Sequence, residues 1–476
     1  MDDDPERSLE RIRSELWDPA LCLERVAPGV TPHLDLSSLG LHSVRESALG
    51  AYADLGRGEV GRAVVTLRTV LTHQYDAPGR PWDGTFRATA EQADPPGDLA
   101  VEWLHYDPNW RQFLGVILAV TLLDHGGDLP GDVVEGASAA VVRCALGEPE
   151  DRIPEWYTNP NLLHAWVAAH AGLLAGDDAL VERGRRRARR TIDRFEHSGD
   201  VDEYNSPTYD GVDLLAAALW VAHPPTPEFA AWGRSLLDGL CARISNLVDP
   251  QLACICGPYW RAYGVALDRY VSLLGLWLHV AGVEHVLPSV LDSGTDHVHD
   301  LSFLPLVARL AGIVPLRWQV RPVVAERRHV QRFDDVVATS ILRPGRNVGW
   351  ATGPVPAFAA DQYLPFVAHC ARRDGTVAHL GVHPGDGVDR VWADEVAPDS
   401  FTLGLRSDTA PGRPAGQSVE VVLVGADLQV EGDLLVDREG AVTVELLGSG
   451  RWMTTPDGWS AVGVDPELRI TLRPVG

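Results

Sequence analysis

The chain has 476 residues, 45% hydrophobic and 22% charged, with a net charge of −25. That length accommodates two or three domains with substantial cores, and the charge excludes binding to nucleic acid or an anionic membrane except through a local basic patch. None of the 41 basic side chains is lysine, which excludes Schiff-base chemistry, pyridoxal phosphate and a P-loop lysine. The N-terminus opens Met1-Asp2-Asp3-Asp4-Pro5-Glu6 without an apolar core, so no signal peptide is expected. No run of about twenty apolar residues predicts a membrane span. A cytoplasmic protein is expected, with six scattered reduced thiols, of which Cys254 and Cys256 form the one close pair.

From residue 8 to about 320 the apolar residues recur at three- and four-residue spacing, which predicts helices. The segments are Leu9–Leu16, Val44–Leu55, Glu59–His73, Trp110–Leu123, Val133–Leu146, Leu162–Ala175, Ala179–Phe195, Val212–Ala222, Phe229–Leu247, Ala262–Val283 and Leu301–Ile313. Turns rich in Gly, Pro and Asp separate them, as at Gly176-Asp177-Asp178. Helices joined this way pack as hairpins, and about ten in series point to a ring of hairpins, an α/α toroid. No fixed-period repeat favours a solenoid.

Near Val314-Pro315 the pattern changes to short alternating runs: Val336–Leu342, Asn347–Trp350, Val377–Val382, Phe401–Leu405, Val419–Val424, Leu428–Val436, Val442–Leu447 and Leu468–Leu472. These predict an antiparallel β-sandwich. The expected division is therefore a helical domain over residues 1–317 and a β-domain over 318–476.

The polar residues cluster. Asp202 to Asp213 crowds carboxylates, hydroxyls and two phenols into one stretch, and Ser206-Pro207 reads as a helix start. Tyr204, Asn205 and Tyr209 would sit at its mouth, with Glu203 beside them. Upstream, Trp103, Tyr106 and Trp110 offer flat faces for stacking on a sugar, and Asp107 can cap a helix opened by Pro108. In Tyr157–His164, Asn161 and His164 are three apart and so share a helix face. An amide and an imidazole there can bind a carboxylate and move a proton. Gly257–Gly264 places Tyr259, Arg261 and Tyr263 at another expected helix start, with Arg261 as an anion anchor. In a hairpin ring, alternate helices point the same way, so the clusters at 157–164, 203–209 and 257–263 would gather around one cleft. The basic run Arg183–Arg190 reads as a solvated helix face. His297-Val298-His299 and His379 with His383 lack convincing metal-ligand spacing, so no metal is expected. His369, His379 or His383 could reach the cleft from the β-domain.

A helical toroid followed by a β-sandwich, with Asn and His on one helix and Tyr on a later one, resembles the toroid-type polysaccharide lyases, the alginate-lyase and heparinase II/III-like enzymes. The resemblance implies that Asn161 and His164 neutralise a uronate carboxylate, that Tyr209 is the acid/base with Tyr263 in reserve, and that Arg261 anchors the carboxylate. Trp103, Trp110, Tyr204, Asn205, Tyr259 and Glu203 would contact substrate. It differs from the family in that Asn and His are three apart rather than adjacent. The expected function is a lyase or isomerase without cofactor or metal, using Tyr/His/Asn acid–base chemistry on a small carboxylate-bearing sugar or natural product. The alternatives are a cyclase or dehydratase, a glycoside hydrolase using Glu203, Asp210 and Asp213, and a non-catalytic carbohydrate-binding protein. The partner is a small molecule or oligosaccharide, and the oligomeric state is open.

Overall fold

The structure is a computed structural model. It describes residues 4–29, 41–318, 320–356, 362–384, 388–406, 419–424, 428–431, 434–447, 451–455, 458–463 and 467–473. Among them are eleven α-helices: α1 (Pro5–Leu16), α2 (Val44–Gly56), α3 (Val60–Leu71), α4 (Trp110–His125), α5 (Gly131–Leu146), α6 (Thr158–Ala175), α7 (Asp178–Ser198), α8 (Asp210–Ala222), α9 (Pro227–Leu247), α10 (Leu273–Val280) and α11 (Leu304–Leu310). They pair as hairpins α2/α3, α4/α5, α6/α7 and α8/α9.

The sequence explains which member of each hairpin lies inside. In α6 every side chain from Thr158 to Gly172 is buried, and α8 is buried from Asp210 to Trp220. A helix apolar all round must be covered on all sides. In α7 the buried residues are Leu180, Gly184, Ala188, Thr191, Ile192 and Phe195, one stripe, and its arginines face outward or bind carbonyls at its edge. The turn between α6 and α7 is made by Gly176 in the left-handed conformation and by Asp177, whose carboxylate accepts from Ala179 N and Leu180 N. The inner helices α2, α4, α6, α8 and α10 contact one another in succession, and α11 touches both α10 and α2.

Among the described residues fourteen strands form one antiparallel sheet system. One half comprises 327–333, 336–343, 346–354, 366–371, 377–383, 419–424, 458–463 and 451–455; the other comprises 390–397, 400–406, 467–472, 442–447, 434–437 and 428–431. They join where Arg390 and Val391 pair with Pro354 and Gly353. Both halves contribute to one apolar core, with Val348, Trp350 and Phe366 from the first and Val391, Phe401 and Leu468 from the second. On strand 366–371 successive side chains alternate. Phe366, Ala368 and Cys370 enter that core, while Val367 joins the helical core and His369 donates from Nε2 to Val265 O at 2.7 Å. Burial on both faces leaves no alternation in the sequence, so this strand escaped the pattern search.

The expected helix over 262–283 is present only as α10. Residues 254–272 instead run in extended and irregular conformation across the sheet. Tyr259 exchanges backbone hydrogen bonds with Leu364 at 3.0 and 2.9 Å, and Ala262 N donates to Gln362 O at 3.0 Å. Ser340 Oγ donates to Gly257 O at 2.6 Å. This pairing satisfies the backbone groups that a helix would otherwise satisfy. The approach is close enough to require glycine at 349: a Cβ there would lie 1.7 Å from Gly257 O. The start of α8 also moves. Ser206 Oγ accepts from Tyr209 N at 2.9 Å, so it caps a turn, and the helix begins at Asp210. The stretch 301–313 splits into a 3-10 turn, Val298–Phe303, followed by α11.

Gly349→Ala is expected to destabilise the protein by at least about 1–3 kcal/mol, the usual cost of overpacking. Thermal unfolding of the variant against the parent checks this.

Candidate active-site cleft

A cleft of about 930 Å³ opens at the ends of the inner helices. Its walls come from the stretch before α4, the start of α6, the turn into α8, the extended segment at 261–263, and residues 296–303; Gln362 reaches in from the β half.

Arg261 is the centre of its floor. Its guanidinium forms an ion pair with Glu203, donates from Nε to Gln362 Oε1 at 3.0 Å, and donates to Tyr209 Oη at 3.0 Å. It also lies over the Tyr209 ring, 4.0 Å from the centroid. Glu203 is fully buried and accepts from the Asn159 backbone N at 3.0 Å and from Asn159 Nδ2 at 2.9 Å. The Tyr209 and Tyr263 hydroxyls are 2.8 Å apart. Tyr263 is 43% exposed and presents its ring to the cleft, stacked on His297 with 5.2 Å between centroids. Burial raises the Tyr209 phenol well above its ordinary value, against the opposing pull of Arg261. Burial likewise pushes Tyr157 up to about 12.

Of the residues predicted from the sequence, Tyr209, Tyr263, Arg261, Trp103 and Trp110 line this cleft, and Glu203 lies directly beneath it. Asn161 and His164 do not. Asn161 donates from Nδ2 to Pro154 O at 2.7 Å and accepts from Arg187 at 2.6 Å, beside a separate small cavity. His164 is buried against Gln112, and burial together with Arg187 and Arg183 holds its imidazole well below the usual range. The helical turn explains the error. Asn159 and Asn161 are two residues, about 200°, apart around α6, so the amide that faces the cleft is Asn159.

Tyr204 is buried between Trp260 and Phe333, Asn205 donates to Cys256 O and Pro258 O, and the Tyr259 hydroxyl binds Ile255 O. None of these three touches the cleft. The carboxylates chosen for hydrolysis are unsuited to it. Glu203 is held by Arg261, Asp210 by Arg243, and Asp213 is fully buried. His369, His379 and His383 also lie outside the cleft lining.

Sequence reasoning assigned Asp107 only a capping role and did not single out Asn109 or Asp300. Asn109 donates to Tyr157 Oη at 2.9 Å. Burial raises Asp107 to about 6 and Asp300 to about 7. The arginines of the lining are all engaged: Arg13 with Glu24, Arg25 with Asp18, Arg45 with Glu46, and Arg261 with Glu203. The cleft thus combines aromatic walls, a hydrogen-bonded phenol pair backed by one guanidinium, and a His–His–Asp group beside Tyr263.

The chain belongs to a family described as a domain of unknown function, DUF8769, whose match spans residues 32–312. No curated protein matches it. Among solved structures it is similar to a mutant of chondroitin AC lyase from Streptomyces coelicolor A3, with 13% identity over 98% of this chain and 78% of that one, TM-score 0.37. A heparan sulfate lyase from Pedobacter heparinus has 11% identity over 86% and 82%, TM-score 0.25. A glycoside hydrolase has 9% identity over 90% and 71%, TM-score 0.28.

Asp213 supplies a test of the buried floor. Neither of its oxygens has a partner, and burial, with Glu203 and Asp210 nearby, raises its carboxyl well above 3.8. A raised carboxyl opposes folding as it ionises, so its contribution is intact below about pH 4 and stability falls as pH rises from there toward its folded value. Asp213→Asn should therefore flatten the fall in stability with rising pH and leave the protein at least as stable at neutral pH, measured by denaturant unfolding across pH.

Proposed function

We propose that the chain is an acid–base lyase that acts on a carboxylate-bearing sugar, and that its helical part, residues 1–317, is an α/α toroid joined to a β-sandwich over 318–476. The successive inner-helix contacts that return through α11 to α2 support the toroid. The observation that carries the activity is the phenol pair Tyr209–Tyr263 at 2.8 Å, with Arg261 donating to Tyr209 at 3.0 Å, in a cleft walled by Trp103, Trp110 and Tyr157.

The reaction balances without oxidant or reductant. The ionised phenol pair takes the proton α to the carboxylate. The released electron pair forms the carbon–carbon double bond as the β carbon–oxygen bond breaks. The same pair then returns the proton to the leaving oxygen. Tyr263 is the phenol that meets substrate; Tyr209, behind it, shares the negative charge of the ionised pair and keeps that charge close to Arg261. A guanidinium beside a phenol favours the phenolate. The same apparatus serves an isomerisation when the proton returns to carbon. The net charge of −25 disfavours a long polyanion and favours a small sugar acid or short oligouronide.

Incubation with short oligouronides should yield an unsaturated product that absorbs in the ultraviolet. Tyr263→Phe and Tyr209→Phe should each lower the rate by about 10²–10⁴-fold, the usual share of a general acid–base group, with thermal unfolding within a few degrees of the parent. A reducing end formed without the chromophore, or an undiminished rate in both variants, would count against elimination by this pair.

The pH profile gives a second check. The charged and titratable groups facing Tyr209 are Arg261, Tyr263 and Tyr157, and the balance with burial leaves its phenol raised. Tyr209 is therefore protonated at neutral pH, and the rate should climb with pH through the alkaline range. A plateau already at pH 7 would remove the phenolate from the mechanism.

A further inference from the structure

We propose that His297, His299 and Asp300 form a binding site for one divalent transition-metal ion of the zinc class in the wall of the cleft. Zinc takes imidazole and carboxylate ligands, and catalytic zinc sites use three protein ligands with an open fourth position. One ligand atom from each of these three side chains lies within 4.8 Å of the other two. His299 Nε2 stands 3.5 Å from Asp300 Oδ1. That matches the edge of a tetrahedron of ligands held about 2.0–2.1 Å from zinc, an edge of roughly 3.4 Å.

The His299 imidazole turns Nε2 toward Asp300, and among the described residues its other nitrogen, Nδ1, is buried without a hydrogen-bond partner, so no protein group at Nδ1 fixes the tautomer. His297 adopts the left-handed backbone conformation, with φ of 54°. Here its N–H is tied to Gly29 O at 2.9 Å. Arg45 pairs with Asp300 only at long range. Its guanidinium is 3.9 Å from that carboxylate and bonded to Glu46 at 2.5 Å.

The ion would also provide what the cleft otherwise lacks. Every arginine in its lining already holds a carboxylate, and the chain has no lysine. A substrate carboxylate entering beside Tyr263 meets no unpaired cation among the described residues of the lining. A divalent ion next to the Tyr263–His297 stack would meet it. This role rests on the acid–base lyase reading; the site itself does not.

The test uses the full chain, stripped with chelator and titrated calorimetrically with Zn²⁺, Mn²⁺ or Ca²⁺ alone, with bound metal counted by elemental analysis. The parent should take one Zn²⁺ per chain in preference to Ca²⁺, and Zn²⁺ should raise its unfolding temperature. Asp300→Asn, which preserves shape, and His299→Ala should each weaken Zn²⁺ binding by about 10–100-fold or more, since even the loss of an outer-shell partner does so. His379→Ala, outside the cleft, should bind as the parent does. Zn²⁺ affinity unchanged in Asp300→Asn and His299→Ala, no binding by the parent, or a preference for Ca²⁺ would each overturn the proposal. If His299→Ala does not fold, Asp300→Asn decides. Zinc bound at this site with no elimination from any uronate would leave the metal site standing and remove the lyase reading; elimination by a chain that takes no zinc would do the reverse.

Discussion

The ion pair between Arg261 and Glu203 is the contact on which the site depends. Both partners are almost fully buried, and a buried charge is tolerated only when its hydrogen-bonding capacity is filled. Here it is filled from several directions. Glu203 accepts both the backbone and side-chain amides of Asn159 at the start of α6. Arg261 divides its remaining donors between Gln362 and the Tyr209 hydroxyl. Removing one partner of such a pair costs about 3–5 kcal/mol because the other charge is stranded. The arrangement thus fixes four separate stretches of chain at the floor of one cleft.

The same floor sets the chemical character of the tyrosines. Burial raises the Tyr209 phenol, and it outweighs the opposing pull of the Arg261 guanidinium. The phenol pair gives the proton two hydroxyls to occupy, one enclosed and one open to the cleft. Arg243 does a comparable job one layer deeper: it is bonded to Asp200 and Asp210 and lies over the Tyr204 ring. That layer supports the turn 200–210 rather than facing a ligand.

Much of this was legible in the sequence, and the failures have specific causes. Helices α2 to α9 follow from their apolar spacing, with α6 and α8 buried along most of their length and α7 carrying a polar outer face. Tyr209, Arg261 and Tyr263 were found because polar residues cluster around them. Their backbone was misassigned: 257–272 has helical periodicity, yet it pairs with Gln362 and Leu364, a partnership about a hundred residues distant that local spacing does not encode. Asn161 was chosen because it pairs with His164 along one helix face, but that face is packed away from the cleft. His297 and His299 were set aside because three ligands were sought in sequence spacing alone. Asp300 is adjacent in the chain, and the nearness of the three side chains on which the metal proposal rests is not visible in a string of letters.

The crossing of residues 254–263 over the sheet has a further consequence. Gly257 rests on Gly349, Tyr259 pairs with Leu364, and Arg261 is braced by Gln362. The β half gives the cleft little of its surface, but it sets the path of the strand that carries Arg261 and Tyr263. A fragment cut after α11 would keep the aromatic walls and lose the alignment of the residues between them. In this molecule the seam between the helical and β parts is itself a component of the site, and drift in the sequence of one part must be matched by the other.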